Sequence, residues 1–290
     1  MAPPVVGIGI TTYKDIWTAD FGSAFYDLLA SQPVSLAPTK ARLWLWGTAQ
    51  PIEGSADFAS VWRSETAFER REGRSKSSPV IERGNYRQPV DWSRDRTLKS
   101  RGKFMPHPES DPRGNNAVLL RCHATWKLNW ADFFEELVDL FEPSFAMLDL
   151  FEIPISGAEI GTAGGYEAVT CYTDAFAGEF WFTRSRTITG ATTQPDSFDV
   201  AGRRTYRHLP ELPWLSCLGR EFDGQFCEAQ AEDLLFRVKQ RRERTIIQLS
   251  ADMRDQTGVA AARNRSRAVF REGFFRSPPH AASKSSTYSG

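Results

Sequence analysis

Four cysteines in 290 residues, none of them in a Cys-x-x-Cys pair, give no basis for a disulfide framework or a zinc knuckle. Cys122, Cys171, Cys217 and Cys227 are scattered, which fits a reducing compartment. The four histidines, His107, His123, His208 and His280, show no i, i+4 pairing, so no structural zinc and no other metal or cofactor is expected. No stretch approaches the roughly 20 apolar residues that span a bilayer. The opening MAPPVVGIGITTY has neither a basic n-region nor a long apolar h-region. An excess of charge is missing too. Lys plus Arg and Asp plus Glu both total 36, which points to neither a dedicated nucleic-acid binder nor an acidic chaperone. A soluble, cytoplasmic protein without membrane association is expected.

The zero net charge hides an uneven distribution. Residues 1–60 carry 3 basic and 5 acidic groups, 61–113 carry 13 and 8, 114–181 carry 2 and 11, and 182–290 carry 18 and 12. The acidic third segment holds the most regular stretch of the chain, NWADFFEELVDLFE. Here Trp130, Phe133, Phe134, Leu137, Val138 and Phe141 make one helical stripe, and Asp132, Glu135, Glu136, Asp139 and Glu142 occupy the other face. Asn129 is the expected N-cap and Pro143 the stop. Ala117 to Trp126 before the helix and Ser144 to Phe151 after it read as strands. The first 50 residues repeat that order, with a strand at Val5 to Tyr13, a helix over 20–31 and a strand at Ala41 to Trp46. Further strands are expected at Glu179 to Ile188 and Thr245 to Ala251, and a closing helix over 259–275 with Arg263, Arg265, Arg267 and Arg271 outward. Residues 63–116, rich in arginine, serine and proline, read as a long basic solvated excursion, and 277–290 as a disordered tail. Pro210 and Pro213 frame a segment expected to pack as a rigid cap.

Catalytic patterns are thin. Cys122 and His123 are adjacent on a strand and point to opposite faces, so they form no nucleophile and base pair. Cys217 and His208 share one loop-rich segment without a supporting motif. Gly161, Gly164 and Gly165 lack the lysine and following helix that a phosphate loop needs. Carboxylates are abundant enough that a metal-dependent hydrolase or nuclease stands as the alternative, with a phage or secretion-apparatus structural protein as a third reading. The acidic helix face suggests a binding surface. Like charges three or four residues apart repel, and Asp139 and Glu142 oppose the C-terminal helix dipole with no lysine in the helix to offset them. A basic partner would be steered there, with Trp44, Trp46 or Trp214 as candidate anchors.

Three stretches together resemble a known family. They are WADFFEELVDLFEPSFAMLDLF, LPWLSCLGREFDGQF and TIIQLSADMRD followed by a terminal helix. The combination resembles bacterial toxin-immunity proteins, in particular the immunity protein 52 family, with Leu212, Pro213, Trp214, Leu215, Leu218, Gly219, Glu221 and Phe222 carrying the second motif. The arginine-rich excursion is longer than the family pattern, and Arg220 stands where a proline is more familiar. The resemblance implies a non-enzymatic α+β protein that neutralises a cognate toxin delivered by contact-dependent or type VI secretion. The expected architecture is one α+β domain over 1–276, a mixed sheet covered by amphipathic helices. The expected partner is a toxin with a basic groove, such as a nuclease, met by Asp132, Glu135, Glu136, Asp139, Glu142 and Trp214; no direct nucleic-acid binding is expected.

Overall fold

The computed structural model describes residues 4–43, 48–71, 80–96, 98–106, 116–151, 170–174, 179–183, 192–193 and 212–275. In chain order the elements are β1 (Val5–Thr12), α1 (Ala19–Ser31), β2 (Lys40–Leu43), β3 (Gln50–Pro51), α2 (Ser55–Trp62), β4 (Glu65–Arg71), β5 (Val80–Arg87), β6 (Val90–Arg94) and β7 (Ser100–Met105). They continue as β8 (Asn116–His123), α3 (Trp130–Phe141), β9 (Phe145–Phe151), β10 (Thr170–Asp174), β11 (Glu179–Thr183), β12 (Thr192–Thr193) and β13 (Leu215–Leu218). A 3-10 turn at Arg220–Phe222 leads to α4 (Glu228–Leu234), β14 (Arg237–Arg241), β15 (Arg244–Gln248) and α5 (Gln256–Ser266).

Ten strands form one sheet in the order β14-β15-β13-β9-β1-β8-β7-β6-β2-β3. Every pairing in it is antiparallel, where a mixed sheet was expected. The expected strand, helix, strand unit is present as β8, α3 and β9. Its two strands do not touch; β1 lies between them and pairs antiparallel with both. The α+β class holds, with helices and a large antiparallel sheet sharing one core. Two smaller sheets, β4-β5 and β10-β11-β12, complete the described strands.

Alternation along the strands divides the residues between two faces. On one face Ile8, Ile10, Val118, Leu120, Ala146, Leu148 and Cys217 meet the apolar stripe of α3, and α1 and α2 continue the layer outward over β7 and β6. Aromatic contacts join that layer. Phe21 and Phe25 meet Phe141 edge-on at 4.9 and 5.1 Å between ring centroids, and Trp62 of α2 stacks on Phe104 of β7 at 4.0 Å. The opposite face carries Phe145, Met147 and Asp149 on β9, covered by the C-terminal elements, where Phe222 contacts both Phe145 and Phe274.

Several expectations are corrected. The basic excursion contains strands, and β6 and β7 belong to the main sheet. Val90, Trp92 and Phe104 supply one apolar face, while Asp91, Arg101 and Lys103 supply the other, so the charge built into the second face gives a composition that reads as a charged loop. Gly102 is required there, because a Cβ at that position would lie 2.0 Å from the Trp92 ring. The proline-framed segment is no cap: β13 is an internal strand between β9 and β15. The closing helix starts earlier, with Asp255 as N-cap accepting from the Gly258 N–H at 2.8 Å, and stops at Ser266. Beyond it Phe270 bridges back to Phe226, and Phe270, Phe274 and Phe275 pack on one another. Arg263 points inward rather than outward; its guanidinium donates to Asp149 at 2.6 Å and to the Leu212 carbonyl at 2.8 Å. Trp44, Trp46, the end of the strand expected at 179–188, the glycine-rich stretch, His208 and the 277–290 tail lie outside the described residues.

Candidate functional site

Helix α3 forms as its sequence dictates. The Asn129 side chain accepts from the Ala131 and Asp132 N–H groups, which satisfies two of the orphan donors of the first turn. Its Nδ2 donates to Asp132 at 2.6 Å. Glu142 closes the helix in the left-handed region at φ 47, with its N–H returned to the Val138 carbonyl. The last carbonyls, left without partners by the helix, are met from elsewhere. Thr12 Oγ1 donates to Phe141 O at 2.8 Å, Lys14 Nζ to Leu140 O at 3.0 Å, and Arg244 to Pro143 O and Glu142 O at 2.9 and 3.0 Å. Two cations distant in sequence, Lys14 just after β1 and Arg244 on β15, thus supply the dipole compensation that the helix sequence lacks.

The five carboxylates of the expected binding face divide into two groups. Glu135, only 13% exposed at its side chain, is enclosed by Arg237 at 3.1 Å, Arg241 at 3.3 Å and Lys239, all from β14. Asp139 accepts from Arg241 Nε at 2.6 Å, and Glu142 pairs with Lys14 at 2.9 Å. The Arg241 hydrogen bond holds the Asp139 carboxyl below its usual range, and the Lys14 hydrogen bond does the same for Glu142. These three acids were expected to face a partner. Glu142 is instead occupied by Lys14, and Glu135 and Asp139 by the protein's own basic hairpin, because antiparallel alternation puts Arg237, Lys239 and Arg241 on the helical side of the sheet edge. Asp132 and Glu136 remain on the outer surface, Glu136 accepting from Gln32 at 2.9 Å. Trp214 is no surface anchor. It is buried, its indole N–H donates to Ser250 O at 2.9 Å, and its main-chain N–H donates to Asp149 at 3.0 Å.

The acidic surface is nevertheless wider than one helix. None of α1, α2 and α3 contains a lysine or arginine, and Asp20, Asp27 and Asp57 join Asp132 and Glu136 among their exposed residues. This was missed because the first 60 residues look nearly balanced. The signal was present in the placement of the cations: Lys14, Lys40 and Arg42 all fall outside the two helical windows. The opposite face of β2, β6, β7 and β8 has the reverse character. Cross-strand register aligns Arg121 with Arg101, Leu119 with Lys103, and Asp91 with both Lys103 and Arg42. Burial pushes the Lys103 and Arg121 pKa values down, and the neighbouring Arg101 adds to the effect on Arg121.

Other chemistry is sparse among the described residues. Cys122 lies in the core, where burial pushes its thiol pKa well up, while His123 lies on the other face of β8 and its pKa is lowered by burial and Lys99. Cys217 is buried. No group of three or more His, Cys, Asp or Glu side chains among the described residues is placed to hold a metal ion. A cavity of about 440 Å³ opens at the C-terminal end of α3, where Tyr13, Lys14, Glu142, Arg220, Glu243 and Arg244 line an alternation of charges around one exposed tyrosine. No helix of the described residues is long and apolar enough to cross a membrane. No protein-family model matches the chain, and no curated protein matches it.

Proposed function

We propose that this chain is an immunity protein that binds a cognate secreted bacterial toxin in the cytoplasm and neutralises it by occluding its active groove. The observation that carries the reading is the helical layer: three adjacent helices without a single lysine or arginine present Asp20, Asp27, Asp57, Asp132 and Glu136 outward. A rigid layer of like charge, fixed to a sheet by an aromatic core, suits a partner whose groove is basic, such as a nuclease. It steers association and competes with an anionic substrate. The resemblance in the α3, β13 and β15 stretches supports the same reading. In this assignment Glu135, Asp139 and Glu142 are framework, and the contact surface moves outward onto α1 and α2.

The test is a search of the neighbouring genes for a toxin-domain protein, whose absence would count against the reading, followed by co-expression scored by growth and by the toxin's own activity. Growth should be restored, and reversing Asp20, Asp27, Asp57, Asp132 and Glu136 together to lysine should weaken association by about tenfold or more at low salt, an effect that shrinks as salt rises. Continued toxicity with the folded wild-type chain present would sink the immunity reading; undiminished binding by the reversed variant would remove the helical layer from it.

A further inference from the structure

We propose that β14 is a docking edge for an extended segment of a partner protein in which acidic and apolar residues alternate. It does not depend on the acidic helical layer, since it involves a different boundary of the molecule. Among the described residues the ten-stranded sheet ends on one side in β3, two residues long and containing Pro51, which is a protected edge. It ends on the other in β14, five residues without proline. The hairpin closes over two residues, with Arg241 opposite Arg244, so the main-chain groups of Arg237, Lys239 and Arg241 point toward β15 and those of Val238 and Gln240 point away from it.

The side chains along this edge have two characters. On one side stand Arg237, Lys239 and Arg241, whose side chains remain 44, 33 and 34% exposed although they share Glu135 and Asp139. Three cations for two carboxylates leave positive charge facing an added strand. On the other side Val238 is half-buried, and Phe236, immediately before the strand, is 56% exposed, with Leu234 exposed two residues earlier. An incoming strand would therefore place carboxylates beside the cations and apolar side chains beside Phe236 and Val238. A second copy is a poor occupant, because two-fold pairing about Lys239 would set Arg237 against Arg241 and Lys239 against itself.

The experiment uses the full chain and a labelled synthetic peptide of alternating glutamate and valine, with a lysine and valine peptide as control. Fluorescence anisotropy at low salt should show saturable binding of the acidic peptide and binding about tenfold or more weaker for the control, since three attractive cross-strand pairs become repulsive. Amide exchange should slow at Val238 and Gln240 when the acidic peptide is bound. Gln240→Pro, which removes an outward donor together with the hydrogen bond that the Gln240 side chain accepts from Thr245, should abolish binding. A peptide N-methylated at the positions facing the edge should fail equally, and settles the matter if the proline variant folds poorly. Absence of saturable binding, binding without protection of those two amides, or binding that survives N-methylation would overturn the proposal. A concentration-dependent dimer protected at the same amides would assign the edge to a second copy and overturn it as well.

Discussion

The two faces of the ten-stranded sheet use charge in opposite ways. Beneath the helices the sheet surface is apolar, and the acids stand on the far side of α1, α2 and α3 in water or against the β14 hairpin. On the other face charge is built into the strands and the helix that covers them, with Asp149 and Arg263 of α5 locked together at 0 and 8% side-chain exposure and Lys103 and Arg121 buried. Charge on the helical side is therefore screened and adjustable, and suited to contact with other molecules. Charge on the strand side is desolvated, and its value depends on keeping each partner in place. The segmental imbalance in the sequence acquires a spatial meaning here. The acidic third segment supplies α3, and the basic fourth supplies the hairpin that holds it.

Breaking the buried pair should give the largest effect. Asp149→Ala leaves Arg263 desolvated without its partner and should cost about 3–5 kcal/mol in urea unfolding, with only part of the loss recovered in Asp149→Leu/Arg263→Met, because the Trp214 and Leu150 N–H groups lose their acceptor in both variants. Equal losses in the single and double variants would show that the pair is not the relevant unit. Leu137→Ala, under the helical layer, should cost about 2–5 kcal/mol through packing alone, with no pH dependence. Gly102→Ala should cost about 1–3 kcal/mol from its clash with Trp92, and Trp92→Leu in the same chain should lessen the penalty.

The clasp on the helical side should respond more weakly. Glu135→Ala is expected to cost about 1 kcal/mol. Asp139 and Glu142 have folded pKa values below their ordinary 3.8 and 4.5, so their contribution is present above those values and is lost as pH falls through the depressed ones. Acid titration of unfolding should thus show a decline below about pH 4.5 that is shallower in Asp139→Asn. A decline of unchanged slope in that variant would remove Asp139 from the linkage. The smallest effect is expected at the hairpin turn, where Arg242 adopts φ 56; Arg242→Gly should stabilise by about 0.5 kcal/mol, net of the entropy that glycine adds to the unfolded chain.

Much of the fold was legible in the sequence wherever an element buries one face and exposes the other. The stripe of α3 ends within a residue of its expected limits, β1 and β9 fall inside runs recognised by their apolar content, and β8 and β15 each begin one residue before theirs. The elements that were missed have a common cause. β6, β7 and β14 alternate apolar with charged side chains, Val90 and Trp92 against Asp91, Phe104 against Arg101 and Lys103, and Val238 against Arg237, Lys239 and Arg241, so their alternation is drowned by charge. Arg263 was placed outward because arginine is so rarely buried; its partner, Asp149, lies 114 residues away and leaves no local mark. The acidic face of α3 was recognised but not its internal partners, for the same reason. No periodicity in one helix reports that a hairpin 100 residues later returns to cover it.

The position of β1 has a consequence for how the chain is made. This strand lies at the middle of the sheet, yet both of its neighbours, β8 and β9, are synthesised more than 100 residues after it. At about 5–20 residues per second, β1 waits on the order of ten seconds for a hydrogen-bonding partner. Its run of valine, isoleucine and glycine is meanwhile open to pairing with any other strand. Folding should consequently be governed by distant contacts and be slow for a domain of this size, so that expression at low temperature or with chaperones should raise the soluble yield more than any surface substitution.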